Sequence, residues 1–102
     1  MRVVIAMPGK LAEVAEIEND LKSLQQAVGG YIETLPSWFE DVVLICNEEG
    51  KLKRMEPNRA IGGDIIVGPI VVARANDTTG EFEDLPEFAI DFIRIALDNM
   101  ML

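Results

Sequence analysis

Asp41-Val42-Val43-Leu44-Ile45-Cys46-Asn47 is the stretch on which the fold turns. Five consecutive apolar side chains, with an acid before them and Asn-Glu-Glu-Gly after, describe a central strand covered on both faces. Alternation puts Val42, Leu44 and Cys46 on one face. Such a strand needs neighbours, and the chain supplies them on both sides. Residues 31–35 (YIETL) alternate, Ile32 and Thr34 against Tyr31, Glu33 and Leu35, until Pro36-Ser37 breaks the run. Trp38-Phe39 then offer a large apolar contact. Downstream, Glu48-Glu49-Gly50 reads as a hairpin turn and residues 51–55 (KLKRM) as its return leg, with charges that suit a sheet edge.

Further out, residues 2–7 (RVVIAM) read as a buried strand stopped by Pro8-Gly9. Residues 64–75 (DIIVGPIVVARA) read as a long buried strand bent at Gly68-Pro69. Proline has no amide for the ladder, so a bulge or a change of partner is expected there. Residues 57–63 connect, with one helical turn over 58–61, and residues 81–83 form a short return strand.

Two segments carry a helical period. From Lys10 to Val28, the residues Leu11, Val14, Ile17, Leu21, Leu24 and Val28 recur every three or four positions, and Gly29-Gly30 terminates the run. The second helix starts at Asp84, where Asp84-x-x-Glu87 has capping-box spacing, and runs towards Met100. Its polar residues Glu87, Asp91, Arg94 and Asp98 form one narrow stripe, and nearly all the rest is apolar. A chain this short has little left to cover so wide an apolar arc, which favours a homodimer through the C-terminal helix. The expected fold is α+β: a five- to six-stranded, mostly antiparallel sheet with two helices, one after the first strand and one at the C-terminus. Residues 1–102 make a single domain, without linker or repeat.

The 102 residues carry nine Lys+Arg against eighteen Asp+Glu, a formal charge of −9, with 49% hydrophobic residues. With no histidine and one cysteine, an internal disulfide, a zinc set and the histidine-dependent nucleophile systems all drop out. No calcium-loop motif appears, and no cofactor is implied. The acidic balance disfavours direct nucleic-acid or membrane binding. No apolar run is long enough to span a bilayer, so a cytoplasmic setting is expected.

The charge is uneven. Residues 51–74 hold five bases and two acids, a local +3, in a remainder of −12. Lys51, Lys53, Arg54, Asn58 and Arg59 are where a small anion would be welcomed, since arginine forks hold phosphates and asparagine supplies both a donor and an acceptor. The same charges equally suit an edge strand protected against sheet-to-sheet pairing. Met7-Pro8-Gly9-Lys10 lacks the phosphate-loop pattern and reads as a tight turn. Cys46 reads as a buried small hydrophobe, and Glu48-Glu49 as a solvated turn tip.

The blocks Gly29-Gly30-Tyr31-Ile32-Glu33, Asn47-Glu48-Glu49-Gly50-Lys51-Leu52, Pro57-Asn58-Arg59-Ala60 and Asp64-Ile65-Ile66-Val67-Gly68 occur here in order. In this the chain resembles a family classed only as a domain of unknown function, whose members are short proteins of phages, prophages and mobile elements. The resemblance implies a phage-type accessory protein acting against host defence, with no enzymatic activity expected. One expectation is sequestration of a nucleotide-derived signal, with Lys51, Lys53, Arg54 and Arg59 on phosphates, Tyr31 stacking a base, and Asn47 or Asn58 reading polar edges. The alternative is an acidic inhibitor that docks on a host protein, including by mimicry of nucleic acid.

Overall fold

The computed structural model describes all of residues 1–102. In chain order the elements are β1 (Arg2–Ala6), β2 (Glu13–Glu16), α1 (Leu21–Val28), β3 (Ile32–Pro36), β4 (Val42–Asn47), β5 (Pro57–Ile61), β6 (Asp64–Val67), β7 (Ile70–Ala75), β8 (Phe82–Glu83) and α2 (Glu87–Asn99). The main sheet runs β2-β1-β7-β4-β3, with β8 added to the end of β7, and every pairing is antiparallel. β5 and β6 form a separate two-stranded hairpin. The architecture is α+β, as the apolar runs predict.

The strands alternate between two cores. Val3, Ile45, Val71 and Ala73 face α1, whose Leu24 and Val28 are fully covered. Eight residues make too short a helix to persist alone. Burying those two side chains, at roughly 1.5–3 kcal/mol each, is what holds it on the sheet. Val4, Val42, Leu44, Cys46, Ile70 and Val72 face the other way, onto Ala89, Ile90, Ile93 and Leu97 of α2 and onto Ile66 of the small hairpin. Val42, Leu44 and Cys46 therefore share a face as their spacing requires.

Four local expectations are corrected. The helix expected over 10–28 begins only at Leu21. Gly9, at φ 73°, turns the chain back, and β2 pairs along β1 from Ile5↔Glu13 to Arg2↔Glu16. Asp20 then caps α1, its Oδ1 accepting from the Ser23 amide at 2.7 Å. Leu11, Val14 and Leu21 of the expected stripe are exposed. Residues 51–55 are a compact turn, not a return strand: the amides of Lys53, Arg54 and Met55 bond to the carbonyls of Glu49, Lys51 and Gly50. The true hairpin lies next along, where residues 57–61 form β5 instead of a connector. Finally, α2 starts three residues after Asp84, whose carboxylate instead accepts from the Arg2 amide at 2.8 Å.

The bend at Gly68-Pro69 does change partners. Gly68, at φ 75°, ends the strand paired with β5, and Ile70 opens the strand paired with β1 and β4.

Candidate functional site

The basic segment does not converge on one site. Arg59 has no exposed surface, and acceptors surround its guanidinium. Nε donates to Leu97 O at 2.8 Å, Nη1 to Met7 O at 3.2 Å and Asn58 Oδ1 at 2.6 Å, and Nη2 to Lys10 O at 2.7 Å and Asp98 Oδ1 at 3.2 Å. Arginine has five N–H donors, and five bonds account for them. Asn58 is equally buried, donating to Ala6 O and Gly68 O at 2.8 Å each. These two residues pin the small hairpin to the β1 turn and to the C-terminal end of α2. The role expected of them at a ligand is corrected on that ground: no donor is left for a phosphate or a base edge.

Asn47 is buried and engaged through one of its two amide N–H groups and its oxygen. Its Nδ2 donates to Val28 O at 3.1 Å and its Oδ1 accepts from the Glu49 amide at 2.8 Å, joining the end of α1 to the following turn. Lys51 forms an exposed ion pair with Asp64 at 2.7 Å. That bond, with a second from the Ile65 amide, holds the Asp64 carboxyl below the usual range. Lys51 and Asp64 border a cleft of about 150 Å³ together with Glu33, Cys46, Glu48 and Leu52. Ligand pockets start at roughly 300 Å³, and the acids here outnumber the single lysine. Cys46 lies buried at its floor, and burial pushes its thiol up to about 11, with Glu33 and Asp64 adding to the shift.

Tyr31, Lys53 and Arg54 remain. Tyr31 is 65% exposed. The Lys53 ammonium lies against Gly30, only 3.1 Å from where a Cβ there would stand, beside the negative C-terminal end of α1. Arg54 is exposed and takes a left-handed φ of 55°. Neither base has a carboxylate within ion-pair distance, whereas Arg2, Lys51, Arg59, Arg74 and Arg94 all do.

Two other surfaces stand out. At the β2–β8 end, Asn19 Nδ2 donates to Phe82 O at 2.8 Å and draws residues 16–20 against residues 81–84. Glu16, Glu18, Asp20, Glu81 and Asp84 are all exposed there, and Glu87 joins them through its ion pair with Arg2. Asp20 and Glu81 border a shallow cleft of about 400 Å³ with Leu21, Leu24 and Phe82. The hydrogen bonds from Ser23 hold the Asp20 carboxyl below its ordinary value, so it stays charged. This acidic gathering was not legible from the local +3, because strand pairing assembles it from both ends of the chain.

The second surface is the outer side of α2. Phe88, Phe92 and Ile95 are exposed in a row, and Trp38 and Phe39 pack edge-on against the two phenyl rings at centroid distances of 5.4 to 6.2 Å. The wide apolar arc of the last helix is the sequence signal for it. Trp38 and Phe39 thus join the core to this surface, the large apolar contact expected of them.

No helix is long and apolar enough to cross a membrane. No curated relative and no solved structure matches the chain. Residues 1–97 match the family described as Domain of unknown function (DUF3846), and the chain belongs to it.

Proposed function

We propose that this member of an uncharacterised family is a non-catalytic inhibitor that docks its acidic end on a basic surface of a host protein. The phage-type context implied by the resemblance of its blocks supports a target in the host cytoplasm. The observation that carries this reading is the segregation of charge. Glu18, Asp20, Glu81 and Asp84 share one end with no ion-pair partner, and Glu16 and Glu87 stand beside them, paired with the N-terminal ammonium and with Arg2. A field so one-sided attracts a basic groove at range and repels nucleic acid itself. A site that normally receives a phosphate backbone is the chemistry such a surface imitates.

The test is recovery of a host protein from lysate at stoichiometric ratio. Glu16→Lys, Glu18→Lys and Glu81→Lys together, or high salt, should abolish that recovery, and Lys53→Ala with Arg54→Ala should not. Recovery that survives the three charge reversals overturns the reading.

A second reading has its own observation: the unpaired Lys53 against Gly30, the residue before exposed Tyr31, with the unpaired Arg54 next to it in the chain. These three would hold a small nucleotide-like anion, without the Asn47, Lys51, Asn58 and Arg59 first expected to join them. Under this reading ATP raises the melting temperature of the wild type and not of the Lys53→Ala/Arg54→Ala variant.

A further inference from the structure

We propose that the outer face of α2 is a dimer interface, closed by a second copy of this chain packed antiparallel about Phe92.

Along α2, Ala89, Ile90, Ile93 and Leu97 are buried on the sheet. Phe88, Phe92 and Ile95 follow the i, i+4, i+7 spacing of a second apolar row on the opposite side, 77%, 51% and 62% exposed. Scattered exposed apolar residues need no explanation, but a contiguous row backed by two further aromatics does. At full side-chain areas of 150–250 Å², the row leaves about 400 Å² of apolar surface in water. That is about half of the ~800 Å² per partner of a standard interface, to which the half-buried Trp38 and Phe39 and the Asp91/Arg94 rim add.

Charge selects the occupant and its direction. Asp91, 88% exposed, and Arg94 lie on the same flank of the row, 3.8 Å apart. A two-fold axis that pairs two helices antiparallel brings each flank against its own copy. Centred near Phe92, it sets Asp91 opposite Arg94 of the second copy, twice over, while the Trp38 and Phe39 flanks meet on the other side. The same register sets Glu87 opposite Asp98, whose charge Arg59 balances, and separates the acidic ends. Asp84 and Glu87 stand at the start of α2, and a 13-residue helix is about 20 Å long, beyond the ~8 Å screening length at physiological salt. A parallel pair would set the Asp91/Arg94 flank against the Trp38/Phe39 flank of the second copy and bring the two acidic ends together. A foreign basic protein would meet Asp91 on this flank but would set its own bases against Arg94.

Sedimentation velocity of the full chain over a concentration series tests the assignment. The expected species is a reversible dimer at about twice the 11.3 kDa protomer mass. Ile95→Asp, which breaks no aromatic contact, should leave a folded monomer by circular dichroism, as should Phe92→Asp. Asp91→Arg and Arg94→Asp should each weaken association about tenfold, and the double exchange should restore it. A wild-type chain that stays monomeric throughout overturns the proposal, as does a dimer indifferent to Ile95→Asp. A double exchange no better than either single one overturns the antiparallel register.

Discussion

Arg59 and Asp98 meet at 3.2 Å where the small hairpin touches the end of α2, with the arginine wholly enclosed. Asp98 Oδ1 also accepts from the Ala12 amide at 2.7 Å. One carboxylate and one guanidinium thus tie together β5, the turn after β1 and the C-terminus of α2. Removing a single member of such a buried pair costs about 3–5 kcal/mol, because the other charge and several carbonyls lose their partners. Arg59→Ala should therefore lower the urea midpoint far more than Lys53→Ala. Arg59→Lys should recover only part, since an ammonium offers three donors where five are used. Equal midpoints for Arg59→Ala and the wild type would refute the network.

The strands were legible in the sequence because runs such as Val42–Cys46 and Ile70–Ala73 suit only a covered sheet, and Gly68-Pro69 announced its change of partner chemically. Lys10–Val28 misled because three-residue steps through Leu11, Val14 and Ile17 satisfy a helical stripe and tolerate a strand followed by a loop. The interruption was written in Asn19-Asp20, a cap whose partner Ser23 stands three residues on. Arg59 could not be placed from its neighbourhood. Its acceptors at Met7, Lys10, Leu97 and Asp98 are distant in sequence, and charge patterning carries no information about burial.

Asp20 provides a pH-resolved check on the corrected start of α1. Its folded-state acidity is enhanced by the Ser23 amide first and the Ser23 side chain second. A carboxyl whose folded value lies below its unfolded one stabilises fully above the ordinary 3.8, and that contribution fades as pH drops through the folded value. Asp20→Ala should lower the urea midpoint near neutral pH. Asp20→Asn, which still caps, should keep most of the stability and lose its acid sensitivity. A neutral-pH midpoint unmoved by Asp20→Ala would mean the cap is idle.

Cys46 should be inert in the native protein. With its thiol raised to about 11 by burial, almost no thiolate forms near neutral pH, and the side chain is 5% exposed. A disulfide reagent should react only at the rate of unfolding, and promptly in urea. The linked effect has a definite sign. The folded state holds its proton between the ordinary 9.0 and about 11, where the unfolded state releases it, so stability falls as pH rises through that interval. Cys46→Ala should flatten that decline. Rapid labelling of the folded chain would contradict the enclosure of the thiol.

Gly50 and Val67 should behave as one unit. A Cβ at Gly50 would stand 2.8 Å from Val67 Cγ2 and 3.4 Å from two backbone oxygens, so the turn after β4 is clamped against β6. Gly50→Ala should cost about 1–3 kcal/mol through overpacking, although the residue lies outside any strand. Val67→Ala removes the methyl that clashes, leaving a gap that the methyl added by Gly50→Ala would fill. The double variant should then be more stable than the two single losses predict, by a coupling of about 0.5–3 kcal/mol measured in a double-mutant cycle. Strict additivity would show that the turn moves freely and is not clamped against β6.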